Sequence, residues 1–207
     1  MKREVSIEGT IYLLLDWKEI DRMVNKLVDK IQKKPCKSNL IIGILRGGAV
    51  VAALLSDYLN IHEVRSIGAR LYQRTGKIGE KVDIYQPLSI SDLSSFDVLV
   101  VDDIIDTGTT YTNVLQKQIF PKKPRSLCTI SLHIKPWAKY KPDIYVEETE
   151  CWIWYPWETY NTVRDIYSDL CKSHSPEIAR NILLEKFKLR PTTIKRIAVT
   201  YLNQIPV

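Results

Sequence analysis

Apolar residues recur along this chain with two different periods, and the alternation between them outlines the architecture. Asp16-Trp17-Lys18-Glu19 has the form of a capping box, after which Ile20, Val24, Leu27, Val28 and Ile31 return at helical spacing until Pro35. That predicts a first amphipathic helix. Asn39 to Leu45 is a short apolar run that ends in Arg46-Gly47-Gly48, and Ala49 to Leu59 then reads as a helix. Strand, glycine turn and helix in that order describe a buried parallel strand feeding a crossover. Val98-Leu99-Val100-Val101 is a second such strand, with a helix expected over 109–118.

Further strands are expected at Val64 to Leu71, Leu127 to Ile134, Asp143 to Val146 and Cys151 to Tyr155, with helices resuming near Glu158. Tyr72 to Gln86 holds two glycines and five charged residues without apolar periodicity, and so reads as a long mobile loop. Ser175-Pro176-Glu177 marks a helix start, and Arg190-Pro191-Thr192 a further break. The fold class expected is α/β, a mainly parallel twisted sheet flanked by helices. Domain boundaries are expected as a main body over 1–172 and a basic helical extension over 173–207.

Composition narrows the picture only a little. At 207 residues the chain accommodates one α/β domain with a small addition, and 45% apolar with 26% charged residues is typical of a globular protein, so neither disorder nor a fibrous repeat is indicated. No apolar run spans a bilayer, and Met1-Lys2-Arg3-Glu4 lacks the apolar stretch of a signal peptide, so a cytoplasmic location is expected. Cys36, Cys128, Cys151 and Cys171 form no CxxC pair, which favours reduced thiols. The formal charge of +6 sits mostly in the tail, where Lys172 to Val207 carries seven basic residues against two acidic ones. His62, His133 and His174 form no cluster and are read as structural or surface residues.

The chemistry concentrates in Val98 to Thr110, VLVVDDIIDTGTT. An apolar strand delivers Asp102 and Asp103 to its carboxyl end, where ligands bind in open α/β sheets. Asp106 and Thr107-Gly108-Thr109-Thr110 follow at a helix start, where free N–H groups and hydroxyls suit a phosphate monoester. Together they predict a site for a phosphorylated sugar.

This stretch closely resembles the PRPP-binding motif of the type I phosphoribosyltransferases, PRPP being phosphoribosyl pyrophosphate. The resemblance implies the PRT fold, with Asp102 and Asp103 contacting ribose hydroxyls directly or through Mg²⁺ and residues 106 to 110 holding the 5′-phosphate. Asp106 is implied as the general base. Arg46, Gly47 and Gly48 fall where the family carries its pyrophosphate loop, which often contains a non-proline cis peptide, here at Leu45-Arg46. Tyr72 to Gln86 falls at the family's flexible lid, with Arg74 or Lys77 as its pyrophosphate partner, although Leu71-Tyr72 replaces the usual Ser-Tyr pair.

Lys135-Pro136 and the later Trp152-Ile153 resemble the hood of bacterial xanthine-guanine enzymes, over about 135–158. Lys135 would donate to a 6-oxo group, Trp152 would stack on the base, and backbone groups of Trp152 and Ile153 would read its edge. Trp154 and Trp157 are read as packing, and Glu158 as a further pyrophosphate or magnesium neighbour. An ammonium only donates, which favours hypoxanthine, guanine or xanthine over adenine.

The implied partners are PRPP, a purine base, the purine nucleoside monophosphate and pyrophosphate. A homo-oligomer, dimer or tetramer, is expected, and neither a membrane nor nucleic acid is. An adenine enzyme on the same scaffold, and a PRT-fold nucleotide-sensing regulator using the basic tail, are the competing readings.

Overall fold

The computed structural model describes residues 3–74, 77–189 and 192, without side chains for 72–80. The chain divides into two compact units, one of residues 20–150 and one joining 1–19 to 151–207. The boundary expected near 172 falls inside the second of these.

In the 20–150 unit, six strands line up in the order β5-β4-β3-β6-β7-β8. They are β3 (Leu40–Leu45), β4 (Val64–Arg74), β5 (Lys77–Gln86), β6 (Asp97–Ile105), β7 (Ser126–Ile134) and β8 (Ile144–Glu148). All neighbours run parallel except β4 with β5. The continuous apolar runs of β3 and β6 are what central strands covered on both faces require, and Leu40 to Ile42 and Val98 to Val101 are fully buried. Helix α1 (Trp17–Lys33) starts where Asp16 accepts the Glu19 N–H at 2.8 Å, and buries Ile20, Met23, Val24 and Leu27 completely. Helix α2 (Gly47–Leu59) returns over β3 and β6.

The helix expected over 109–118 is α3 (Thr109–Val114) followed by a π turn, Leu115–Ile119. Tyr111 anchors it by donating to the Val100 carbonyl at 2.7 Å, and complete burial pushes its hydroxyl well above the usual phenol range.

Two expectations are corrected here. Tyr72 to Gln86, read as a loop, is mostly β5 with the end of β4, an antiparallel pair with register shifts near Gly68 and Tyr72. Its charges masked a period of two: Val82 faces the core while Asp83 pairs outward with Arg70 across the strands at 3.1 Å. The side chains of Arg74 and Lys77 lie outside the described residues. Cys36 and Cys128, expected as reduced thiols, are joined in a disulfide with Cα atoms 5.7 Å apart. Their separation of 92 residues hides the pairing from any spacing rule. It arises because the end of α1 reaches the sheet near β8, where Lys34 donates to the Asp143 carbonyl.

The other unit pairs β1 (Arg3–Ile7) with β2 (Thr10–Leu14) and β2 with β9 (Trp152–Trp154). Glu8 and Gly9 both take positive φ, as tight two-residue hairpin turns demand. Helices α4 (Thr159–Leu170) and α5 (Pro176–Phe187) complete it, with Ser175 capping α5. Val5, Ile7, Trp154, Val163, Ile166, Leu183 and Phe187 share one core. Helix α5 therefore closes a core with the first strands instead of forming the appendage expected from 173 onward. The part of the expected extension over 193–207 lies outside the described residues. Among the described residues no helix is long and apolar enough to cross a membrane.

Two outcomes follow for stability. Without reductant, alkylation should trap two thiols, Cys151 and Cys171, and with reductant four; reduction should lower the unfolding free energy by about 2–5 kcal/mol. At the start of β6, hydrogen bonds from Arg125 and then Ser126 hold the Asp97 carboxyl at about 2, below its ordinary 3.8. A depressed carboxyl stabilises the fold above its unfolded value and loses that contribution as pH falls toward its folded value. The stability gap between wild type and Arg125→Met in urea melts should be full at pH 6 and shrink between about pH 4 and 2.

Candidate active site

The carboxyl ends of β3 and β6, neighbouring parallel strands, bring the two main sequence motifs together. After β3 the Leu45-Arg46 peptide is cis, as the resemblance led us to expect, and Arg46 occupies the N-cap position of α2. Both following glycines are dictated by contact with β6. A Cβ on Gly47 would stand 1.6 Å from Asp103 Oδ2, and one on Gly48 would stand 2.5 Å from the Val101 carbonyl oxygen. Gly43 admits α2 to the sheet in the same way, since its Cβ would meet Ala49 Cα at 2.7 Å.

Asp102 and Asp103 are locked from their own strand. Asp102 Oδ1 accepts the Asp103 N–H at 3.0 Å, and Asp103 Oδ1 accepts the Ile104 N–H at 2.9 Å. Asp103 is buried and Asp102 half-buried. Two adjacent carboxylates at a strand end suit Mg²⁺, which takes one or two carboxylates and completes its shell with water and substrate phosphates. Among the described residues no group of three His, Cys, Asp or Glu side chains gathers into a closed metal cage.

The loop over 106–110 is folded by its own hydroxyls. Thr107 Oγ1 accepts the Thr109 N–H at 3.2 Å and donates to Thr109 Oγ1 at 3.0 Å, which presents small donors around one turn. Gly108 has a φ of +84°, and its Cβ would also lie 2.7 Å from Tyr140 Cβ. Glycine is thus required twice over.

That contact with Tyr140 belongs to an arrangement the sequence reading missed. The segment after β7 folds back onto the 106–110 loop: the Lys135 N–H donates to the Ile105 carbonyl at 2.9 Å and the Lys139 N–H to the Thr107 carbonyl at 3.0 Å. Tyr140 stacks on Tyr111 with ring centroids 5.1 Å apart, and its hydroxyl donates to Thr129 at 3.1 Å. Trp137 Nε1 donates to Asp106 Oδ1 at 2.8 Å, while the Lys135 ammonium sits 5.3 Å from the centre of the Trp137 ring. Lys135 is buried. Asp106 and Lys135, placed by sequence in separate motifs, therefore share one neighbour. The only sequence signal for it was an aromatic two positions beyond the lysine.

Trp152, Ile153 and Glu158 belong to the other unit. Trp152 is exposed on β9 and Ile153 is buried opposite Leu13. Trp154 packs against Phe187, with ring centroids 4.9 Å apart, and Trp157 stacks on Tyr155 at 4.7 Å, so both pack as expected. That unit has its own cavity of about 330 Å³ beside Glu8, Tyr12 and Asp169. Its carboxylates are satisfied locally, Glu8 by Ser173 and His174 and Asp169 by Lys172.

Residues 13–162 match the family described as phosphoribosyl transferase domain. The chain is 28% identical over 151 residues to a xanthine-guanine phosphoribosyltransferase of Gluconobacter oxydans, covering 72% of this chain and 85% of that protein. It is 31% identical over 147 residues to the protein of the same name from Desulfotalea psychrophila, covering 70% and 85%. Its fold is similar to the crystal structure of a purine phosphoribosyltransferase from Pyrococcus horikoshii, with a TM-score of 0.63 and 34% identity over 70% of this chain and 93% of that one.

The glycine contacts yield a direct test. Gly48→Ala sets a side-chain carbon against backbone, which must shift, and should lower stability by about 1–3 kcal/mol in a urea melt.

Proposed function

We propose that this chain, which belongs to the phosphoribosyl transferase domain family, is a purine phosphoribosyltransferase that moves phosphoribosyl from PRPP to a 6-oxopurine. The products are the nucleoside monophosphate and pyrophosphate. The observation that carries this reading is the meeting, at the ends of β3 and β6, of a glycine turn with two locked carboxylates and a hydroxyl-rich loop. The names of the Gluconobacter, Desulfotalea and Pyrococcus proteins support the purine class.

In the reaction a purine nitrogen displaces pyrophosphate from the anomeric carbon, the sugar gaining positive charge and the leaving group negative charge. Thr107, Thr109 and Thr110, with the N–H groups around Gly108, would hold the 5′-phosphate and fix the sugar's position. Asp102 and Asp103 would take the ribose hydroxyls. The same two carboxylates fit Mg²⁺, which when bound would supply positive charge to the departing pyrophosphate. Arg46, at the start of α2, would pair with pyrophosphate oxygens, and Gly47 and Gly48 let backbone N–H groups approach them.

Asp106 would accept the proton the purine imidazole loses as the new bond forms. Lys135 would donate to the 6-oxo oxygen. Its burial supports selectivity, because adenine's amino group would leave two donors facing each other, a mismatch of about 1–3 kcal/mol. The expected base contacts of Trp152 and Ile153 form part of the proposal, supported by the exposed Trp152 indole and, for buried Ile153, limited to backbone groups. PRPP carries several phosphate charges and does not cross a bilayer unaided, so we assign the activity to the cytoplasm.

The test is a base-by-base assay of pyrophosphate release with PRPP and Mg²⁺. Hypoxanthine, guanine or xanthine should react at least about tenfold faster than adenine in kcat/KM; preference for adenine would overturn the specificity argument. Lys135→Met should lower kcat/KM for the oxopurines by about 10- to 100-fold while leaving the KM for PRPP near wild type.

A further inference from the structure

Trp137 stands out as a large aromatic that is 53% exposed yet held in one place. Exposure of that degree means that burial of its ring is not what fixes it. Its loop does so instead. Ahead of it the Lys135 N–H is tied to the Ile105 carbonyl, and the Ala138 N–H closes back on the Lys135 carbonyl at 3.0 Å. Beyond it, Lys139 is tied to Thr107 and Tyr140 is wedged between Gly108 and Tyr111. At the end of this loop, Asp143 Oδ2 accepts from both the N–H and the hydroxyl of Thr129, at 2.8 and 2.7 Å.

We propose that Trp137 is a positioning residue that couples the two halves of the base site, its indole N–H fixing the Asp106 carboxylate and its ring face seating the Lys135 ammonium. The proposal rests on the phosphoribosyl-transfer reading for its kinetic consequences, but the coupling itself is a property of three side chains in one unit.

The two contacts are chemically distinct. An indole N–H only donates, and at 2.8 Å it holds Oδ1 and thereby orients the Oδ2 of Asp106. Asp106 lies in an exposed loop, where a carboxylate without such a tether samples several rotamers. The second contact is made by the ring face, which carries negative charge density and attracts a cation within about 6 Å of its centre. The Lys135 ammonium lies at 5.3 Å, and its burial makes that attraction stronger than at an open surface. A phenyl ring preserves the second contact and abolishes the first. Alanine abolishes both.

The experiment exploits that difference. In Trp137→Phe, kcat for an oxopurine should fall about tenfold with the KM for the base within about twofold of wild type. In Trp137→Ala, kcat should fall as much and the KM for the base should rise at least about fivefold. The KM for PRPP should stay near wild type in both, which shows the phosphate loop intact. An unchanged kcat in Trp137→Phe, or a raised base KM in that variant, would overturn the proposal.

Independently of activity, the indole N–H resonance of Trp137, assigned by its loss in Trp137→Phe, should shift upfield and exchange faster with solvent in Asp106→Ala. If it does not move, the coupling is wrong even in an active enzyme. If wild type is inert toward PRPP and purines while the resonance moves as expected, the reaction assignment fails and the coupling stands.

Discussion

Gly47 and Gly48 lack side chains because β6 already fills the space those side chains would need, and the geometry of the site follows from that contact. With Cβ positions 1.6 Å from Asp103 Oδ2 and 2.5 Å from the Val101 carbonyl oxygen, the start of α2 rests directly on the end of β6. The turn after one parallel strand and the acidic end of its neighbour are thereby packed together, Gly47 against the Asp103 side chain and Gly48 against the backbone of β6. Gly43 on β3 admits the same first turn of α2, its Cβ position falling against Gly48 and Ala49. In the proposed function, a phosphate at this turn and a sugar at Asp102 and Asp103 would take their relative placement from steric exclusion.

A second layer of packing joins the 106–110 loop to the segment following β7. Gly108, again by lacking a side chain, admits Tyr140, and the stacked Tyr140 and Tyr111 carry the loop onto the carbonyl of Val100 in β6. Burial raises both phenols above their ordinary range, so these rings stay neutral and their hydroxyls keep donating at any physiological pH. The 106–110 loop and the segment carrying Lys135 are therefore tied to each other in this purine phosphoribosyltransferase. The first strands and last helices form a separate core of their own.

Much of this was legible in the sequence because its signals are local. The apolar strand running into Asp102-Asp103, the Thr-Gly-Thr-Thr turn and the Ser175 cap each depend on residues within a few positions, and each lies where it was expected. What was missed depends on pairings across the chain. The β1–β2 hairpin was signalled by alternating residues around Glu8-Gly9, but its apolar face is completed only by α5, far along the sequence. The β5 strand was hidden because charged residues interrupt its alternation, Asp83 among them pairing across to Arg70 of β4. The Cys36–Cys128 bond, and the contact of Trp137 with Asp106, join residues that no spacing rule connects.

The proposed function stands or falls on whether the ends of β3 and β6 bind a phosphorylated ribose. Calorimetric titration of the purified protein with PRPP in the presence of Mg²⁺ measures this directly. A saturable heat with about one site per chain, lost in Asp102→Ala and Asp103→Ala proteins that remain folded, is the predicted result. A flat trace with wild type, or an unchanged one with both variants, would contradict it.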